Sequence, residues 1–146
     1  MYTIGQVSKM FQLPVSTLRY YDKEGLFPKL QREAGIRKFS EEEIEALRII
    51  ECLKKSGLEI KDIKKFMEWN TQGSQTFLQR KELFDKQKAV VEEELVSLEK
   101  VLNMLKYKCW YYDTAIQDGS EKNVLAMLPD KLPKEIQNYY DNSHGK

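Results

Sequence analysis

Histidine and cysteine are almost absent from this chain, and their scarcity rules out a good deal. One histidine, His144, and two cysteines, Cys52 and Cys109, are spread over 146 residues. Zinc, copper or mercury would find no ligand set at usable spacing. An iron–sulfur cluster, which takes about four thiolates, would find too few. We therefore expect no metal and no cofactor. Glycine is also sparse, at seven residues, and none of it is arranged as a phosphate-cradling loop. With no paired carboxylates beside a plausible pocket and a single late histidine, an enzyme is the weakest reading. Long apolar runs are missing as well. No stretch approaches membrane-spanning length, and no secretory signal opens the chain. The two cysteines then read as free thiols in a reducing cytoplasm. Net charge is nearly absent, at +1, so the overall balance says nothing about polyanion partners.

The distribution of charge is more informative. Residues 1–40 carry seven Lys/Arg against three Asp/Glu, whereas residues 76–146 carry eleven against twelve. A basic head on a near-neutral body fits a protein that meets phosphate with one end. Charged residues make up 32% of the chain and proline only four positions, which favours long solvated helices. Within the head, Ile4, Val7, Met10 and Phe11 recur at helical spacing behind Thr3, a natural N-cap. Leu13-Pro14-Val15 turns the chain. Ser16 is expected to cap a second helix that stops at Gly25. Residues 29–39 lose the helical period, and Gly35-Ile36-Arg37-Lys38-Phe39 alternates like a short hairpin or wing. Ser40-Glu41-Glu42-Glu43 reads as a capping box. Behind it Ile44, Leu47, Ile50 and Leu53 line one helix face up to Gly57, and Ile60, Ile63, Phe66 and Met67 line another.

Thr71-Gln72-Gly73-Ser74 reads as a linker. Beyond it the period becomes seven: Phe77, Phe84, Val91, Leu98 and Leu105 are joined by Leu95 and Leu102, with Lys81 and Lys88 at the companion position. About thirty residues of helix make a rod of ~45 Å. One apolar seam on such a rod calls for a coiled coil with a second copy; the alternative is a helix folded back on its own head. Residues 107–146 are rich in aromatic side chains and too few for an independent ligand-binding domain. The expected division is thus 1–70 DNA-binding head, 71–106 linker and dimerisation helix, and 107–146 short tail.

The pattern TIGQVSKMF, STLRYYDKEGLF and GIRKFSEEEIEALRII, over about residues 2–70, resembles the MerR family of bacterial transcription regulators. The STLRYYDKEGL block followed by a G-x-R-x-aromatic-S wing is far more specific than a bare helix-turn-helix. The resemblance implies a mostly α fold: a winged helix-turn-helix head, a long helix pairing antiparallel in a homodimer, and a short C-terminal tail. It implies a partner too, double-stranded promoter DNA bearing a pseudo-palindromic operator. Effector binding in this family bends and untwists that DNA, so that RNA polymerase is engaged indirectly.

Carried over by position, Arg19 falls where the recognition helix reaches the major groove, and a guanidinium can read guanine in bidentate fashion. Ser16 and Thr17 fall at that helix's start, near phosphate or base edges. Tyr20 and Tyr21 match a backbone-contacting pair; being adjacent they cannot share one face, and one of them can serve the core instead. Arg37 matches the wing arginine. Phe39 stands where tyrosine is usual and cannot donate a hydrogen bond. Lys61, in the first turn of the fourth helix, adds a phosphate contact.

For the input signal, ECLKKSGLEIKDIKKF resembles a branch that responds to aldehydes, other electrophiles or thiol stress, with a cysteine at the position of Cys52. Arg48 and Lys55 lie on the same helix side and favour a thiolate; Glu51 opposes it, and core packing is the ordinary role of such a cysteine. A second candidate is an aromatic effector pocket of Tyr107, Trp110, Tyr111 and Tyr112, against which stands a plain clamp of the tail. The competing class for the whole protein is a scaffold, insensitive to electrophiles or small molecules, that uses its helix-turn-helix head for protein contacts.

Overall fold

Thr3 starts the fold as the sequence predicts. In the computed structural model, which describes residues 1–145, its hydroxyl accepts from the Gln6 amide while Gln6 Oε1 accepts from the Thr3 amide at 2.9 Å. This reciprocal box opens α1 (Ile4–Phe11). Gln12 leaves α1 in the left-handed conformation, and α2 (Val15–Lys23) follows after a two-residue turn. Here the cap differs from expectation. Pro14, not Ser16, is the N-cap, and no side chain caps α2. The proline ring already holds the extended backbone that precedes a helix, so Ser16 is only the second residue of α2, and it is exposed.

Strands β1 (Gln31–Glu33) and β2 (Ile36–Lys38) form the wing, an antiparallel hairpin in which Arg32 stands directly opposite Arg37. The hairpin is tied back to the chain start by Tyr2 and Phe39, which exchange both backbone hydrogen bonds at 2.7 and 2.8 Å. Helix α3 (Glu41–Lys55) begins at Ser40, but the expected capping box does not close. The Ser40 hydroxyl instead donates to Glu43 Oε2 at 2.7 Å. Glu43 is buried, and a buried carboxylate without a donor is costly.

Helix α4 is Ile60–Asn70. Val7, Leu18, Tyr21, Ile44, Leu47, Ile50, Leu53, Ile63, Phe66 and Met67 close one core, with Leu26, Phe27 and Phe39. Every inward position expected on α3 is in it, while Ile60 only packs against its edge. The stretch expected to be a linker is instead tied down. Gly73–Thr76 is a 3-10 turn, Thr76 is buried and donates to the Trp69 carbonyl at 2.6 Å, and Arg80 reaches Asn70 Oδ1 at 2.9 Å.

Helix α5 runs from Phe77 to Asp118, 42 residues, so it continues well past Lys106 and takes in the first aromatics of the tail. The chain divides into two compact units, Met1–Val90 and the remainder from Val91. The first includes the start of α5, where Gln87 donates to the carbonyl and hydroxyl of Ser56, both at 3.1 Å. In the second, α6 (Lys122–Met127) and α7 (Lys134–Ser143) fold onto the end of α5 around Tyr107, Tyr111, Val124 and Leu132. Among the described residues no helix is long and apolar enough to cross a membrane.

Candidate nucleic-acid interface

Helix α2 has two faces because its apolar residues fall at helical spacing. Leu18 and Tyr21 point into the core, and Ser16, Arg19, Tyr20 and Lys23 point out. Across an open hollow they face Arg32 and Arg37 of the wing. The first backbone N–H groups of α2, at Val15 and Ser16, have no intrahelical acceptor, and Ser16 lines the same hollow. Thr17 is half-buried beside them. A half-exposed tyrosine, four cations and a helix N-terminus thus share one concave surface, which suits a phosphate backbone with a groove edge between its strands.

Asp22 organises this surface. Its Oδ2 accepts from Arg37 Nε at 2.7 Å and from Arg32 Nη2 at 3.0 Å. Neither Asp22 nor Arg32 was singled out by sequence reasoning. The signal available was thin: a carboxylate inside the recognition block and an arginine in a segment of no clear period.

Two residues expected to touch DNA do not face outward. The Phe39 ring is fully buried and meets Phe27 edge-on at 5.5 Å. Alternation along β2 sends its side chain inward, opposite to Lys38's. Tyr21 is 1% exposed; it is the member of the tyrosine pair that serves the core. Its hydroxyl donates to Glu51 Oε2 at 2.9 Å and accepts from Lys54 Nζ at 2.6 Å, bridging α2 to α3. Burial first, then the Glu51 carboxylate, pushes the Tyr21 hydroxyl far above its usual pKa. Tyr20 remains outward, 48% exposed. Lys61 is on α4, 3.7 Å from Glu59 and well exposed, but it does not line the hollow.

Cys52 is exposed, so the core-packing alternative fails for the single chain: α3 turns Ile50 and Leu53 inward and Cys52 out. Arg48 pairs with Glu45 at 3.2 Å, and Glu51 is engaged by Tyr21. The tail aromatics mostly pack against one another and against their own unit. Tyr107 and Tyr111 are buried, Trp110 packs beside them, and Tyr112 is half exposed with its ring edge-on to Tyr111 at 4.9 Å. Tyr107 meets Tyr140 edge-on at 5.2 Å, and Tyr111 donates to Glu121 at 3.0 Å. These rings are the small unit's own core because the end of α5 and two short helices supply little else to bury.

A helix-turn-helix with a two-stranded wing, an outward basic recognition face and a long helix behind it defines a DNA-binding transcription regulator. Comparison with known proteins gives the family. Residues 2–69 match the model of the MerR HTH family regulatory protein. An uncharacterized HTH-type transcriptional regulator of Haemophilus influenzae is 37% identical over 131 residues, 88% of this chain and 97% of that one. The HTH-type transcriptional regulator AdhR of Bacillus subtilis is 36% identical over 91 residues, 61% of this chain and 65% of that one. Among solved structures, HiNmlR, a MerR family regulator lacking the sensor domain and bound to promoter DNA, superposes with a TM-score of 0.73 at 36% identity, covering 84% of this chain and 98% of that one. A MerR family regulator from Bacillus thuringiensis gives 0.68 at 46% identity over 74% and 96%. The chain belongs to the MerR family.

Proposed function

We propose that this regulator works in the cytoplasm as a homodimer on a pseudo-palindromic promoter operator, altering the path of the duplex when its input arrives. The observation that carries this reading is the hollow between α2 and the wing, where Arg19 and Tyr20 face Arg32 and Arg37. Arg19 is assigned to base edges in the major groove. Ser16, Tyr20 and Arg37 are assigned to phosphate, with Thr17 beside them and Lys61 as an outlying contact. Twofold pairing along α5 would set two such heads on matching half-sites, a spacing the operator must mirror. Deforming the duplex then costs a few kcal/mol, which the bound dimer supplies while RNA polymerase is engaged only indirectly through the altered promoter.

For the input, the exposure of Cys52 on α3 favours covalent capture of a small electrophile over a pocket in the tail. Cys52→Ala is expected to leave operator binding intact and to abolish induction by a carbonyl electrophile; unaltered induction would move the sensor elsewhere. The reading as a whole is tested by footprinting on the DNA upstream of neighbouring genes. Two protected half-sites related by a twofold axis are expected. A protein that protects no duplex would point instead to a scaffold that uses its head for protein contacts.

A further inference from the structure

The wing contains an electrostatic contradiction that the fold resolves. Arg32 and Arg37 are direct cross-strand partners, and like charges placed opposite one another destabilise a two-stranded ladder. With only three residues per strand, this hairpin has little to set against that repulsion. Asp22, on the neighbouring recognition helix, accepts from both guanidinium groups through a single oxygen. Its side chain is 15% exposed, that of Arg37 22% and that of Arg32 51%. The acid therefore lies beneath and the cations lie above it. Arg37 spends its Nε on Asp22, and among the described residues no other side-chain hydrogen bond holds it. Both of its terminal nitrogens stay available on the outer side.

We propose that Asp22 is a positioning residue for DNA binding, locking Arg32 and Arg37 into a two-pronged phosphate clamp in fixed register with α2. It touches no DNA itself and acts through the arginines. The proposal rests on the assignment of the wing to phosphate made above, and extends it to an acidic residue that simple charge would count against polyanion binding.

That opposition of signs makes the test decisive. Removing a carboxylate beside a DNA face should strengthen binding if charge alone mattered. Positioning requires the reverse. Asp22→Asn, Arg37→Ala and the double variant are titrated as intact proteins against the footprinted promoter duplex and a scrambled duplex over a range of salt concentrations. Asp22→Asn is expected to weaken binding to both duplexes by roughly tenfold and to lower the salt slope by about one. The double variant should lose less than the two single losses combined, because only Arg32 is then left for Asp22 to position. Asp22→Asn binding as tightly as the parent, or tighter, overturns the proposal, as does additivity in the double variant. Arg37→Ala without effect would instead refute the wing as a DNA contact, a separate failure. Should Asp22→Asn fail to fold, Asp22→Glu decides: near-parental affinity supports the clamp, and affinity equal to that of Arg37→Ala overturns it.

Discussion

Arg19 and Tyr21 stand two positions apart on α2 and are put to opposite uses. Arg19 is exposed and free to enter a groove, whereas Tyr21 is buried and bridges to α3. Arg19→Ala is expected to cost on the order of 1–3 kcal/mol at the operator and to flatten the preference over scrambled DNA; an unchanged ratio of the two affinities would remove Arg19 from base reading. Tyr21→Phe concerns stability. It deletes a hydroxyl held between Glu51 and Lys54, so a loss of about 1–2 kcal/mol is expected at neutral pH in urea unfolding. The alkaline limb gives a second readout. The folded chain holds the Tyr21 proton more tightly than the unfolded chain, whose tyrosine titrates near 10.0. That contribution is complete below pH 10 and drains away as pH rises further. Above pH 10 the stability gap between parent and Tyr21→Phe should therefore narrow; a gap of constant size would place the alkaline loss elsewhere.

At the scale of elements, the wing is the least secure part of the head. Its two-residue turn, Ala34-Gly35, has φ of 51° and 79°, the doubly positive turn that matches strand twist and prefers Asn-Gly. Alanine bears the left-handed penalty at the first position, of order 1 kcal/mol. Ala34→Asn should therefore stabilise the hairpin by roughly 0.5–1 kcal/mol, seen as slower hydrogen exchange at the β1–β2 amides; unchanged exchange would mean the turn does not limit wing opening. The elements that sequence foretold are those with a strong local period. Ile44, Leu47, Ile50 and Leu53 specify α3, and Thr3 marks the start of α1. Legibility ended where a distant partner decides. The Asp22–Arg32–Arg37 arrangement depends on strand register and on α2 lying beside the wing. The 3-10 turn at Gly73–Thr76 reads as a linker until Thr76 finds the Trp69 carbonyl. Ser40 looked like half of a capping box, yet burial of Glu43 claimed its hydroxyl. In the tail, aromatic clustering was visible, but whether the rings faced a ligand or one another was set by α6 and α7.

For the whole molecule, the deciding feature is apolar surface left in water. Along the second part of α5, Val91, Leu95, Leu98, Leu102 and Leu105 are each 41–64% exposed, and the same register continues through Cys109 to Tyr112 and Ile116. Spacings of four and three are those of a coiled-coil seam, and they suit the proposed pairing better than scattered surface residues do. Within its own unit the seam is uncovered, since the cluster around Tyr107, Tyr111, Val124 and Leu132 does not take it in. In the proposed homodimer a second copy would answer the seam with an identical one, as a twofold interface requires. Leu102→Glu probes this without disturbing the single chain, because the position is half exposed there. Losing a leucine from such a seam removes roughly 1.5–3 kcal/mol per chain. It is lost twice per dimer, so association should weaken by about two to four orders of magnitude. Sedimentation at micromolar concentration is expected to show a single subunit with parental helix content by circular dichroism. Operator affinity should fall far more than the mutation's distance from DNA suggests, because each head then binds its half-site alone and the gain from tethering disappears. A Leu102→Glu protein that remains paired at that concentration would remove the seam from the interface, and with it the reason for expecting a twofold operator.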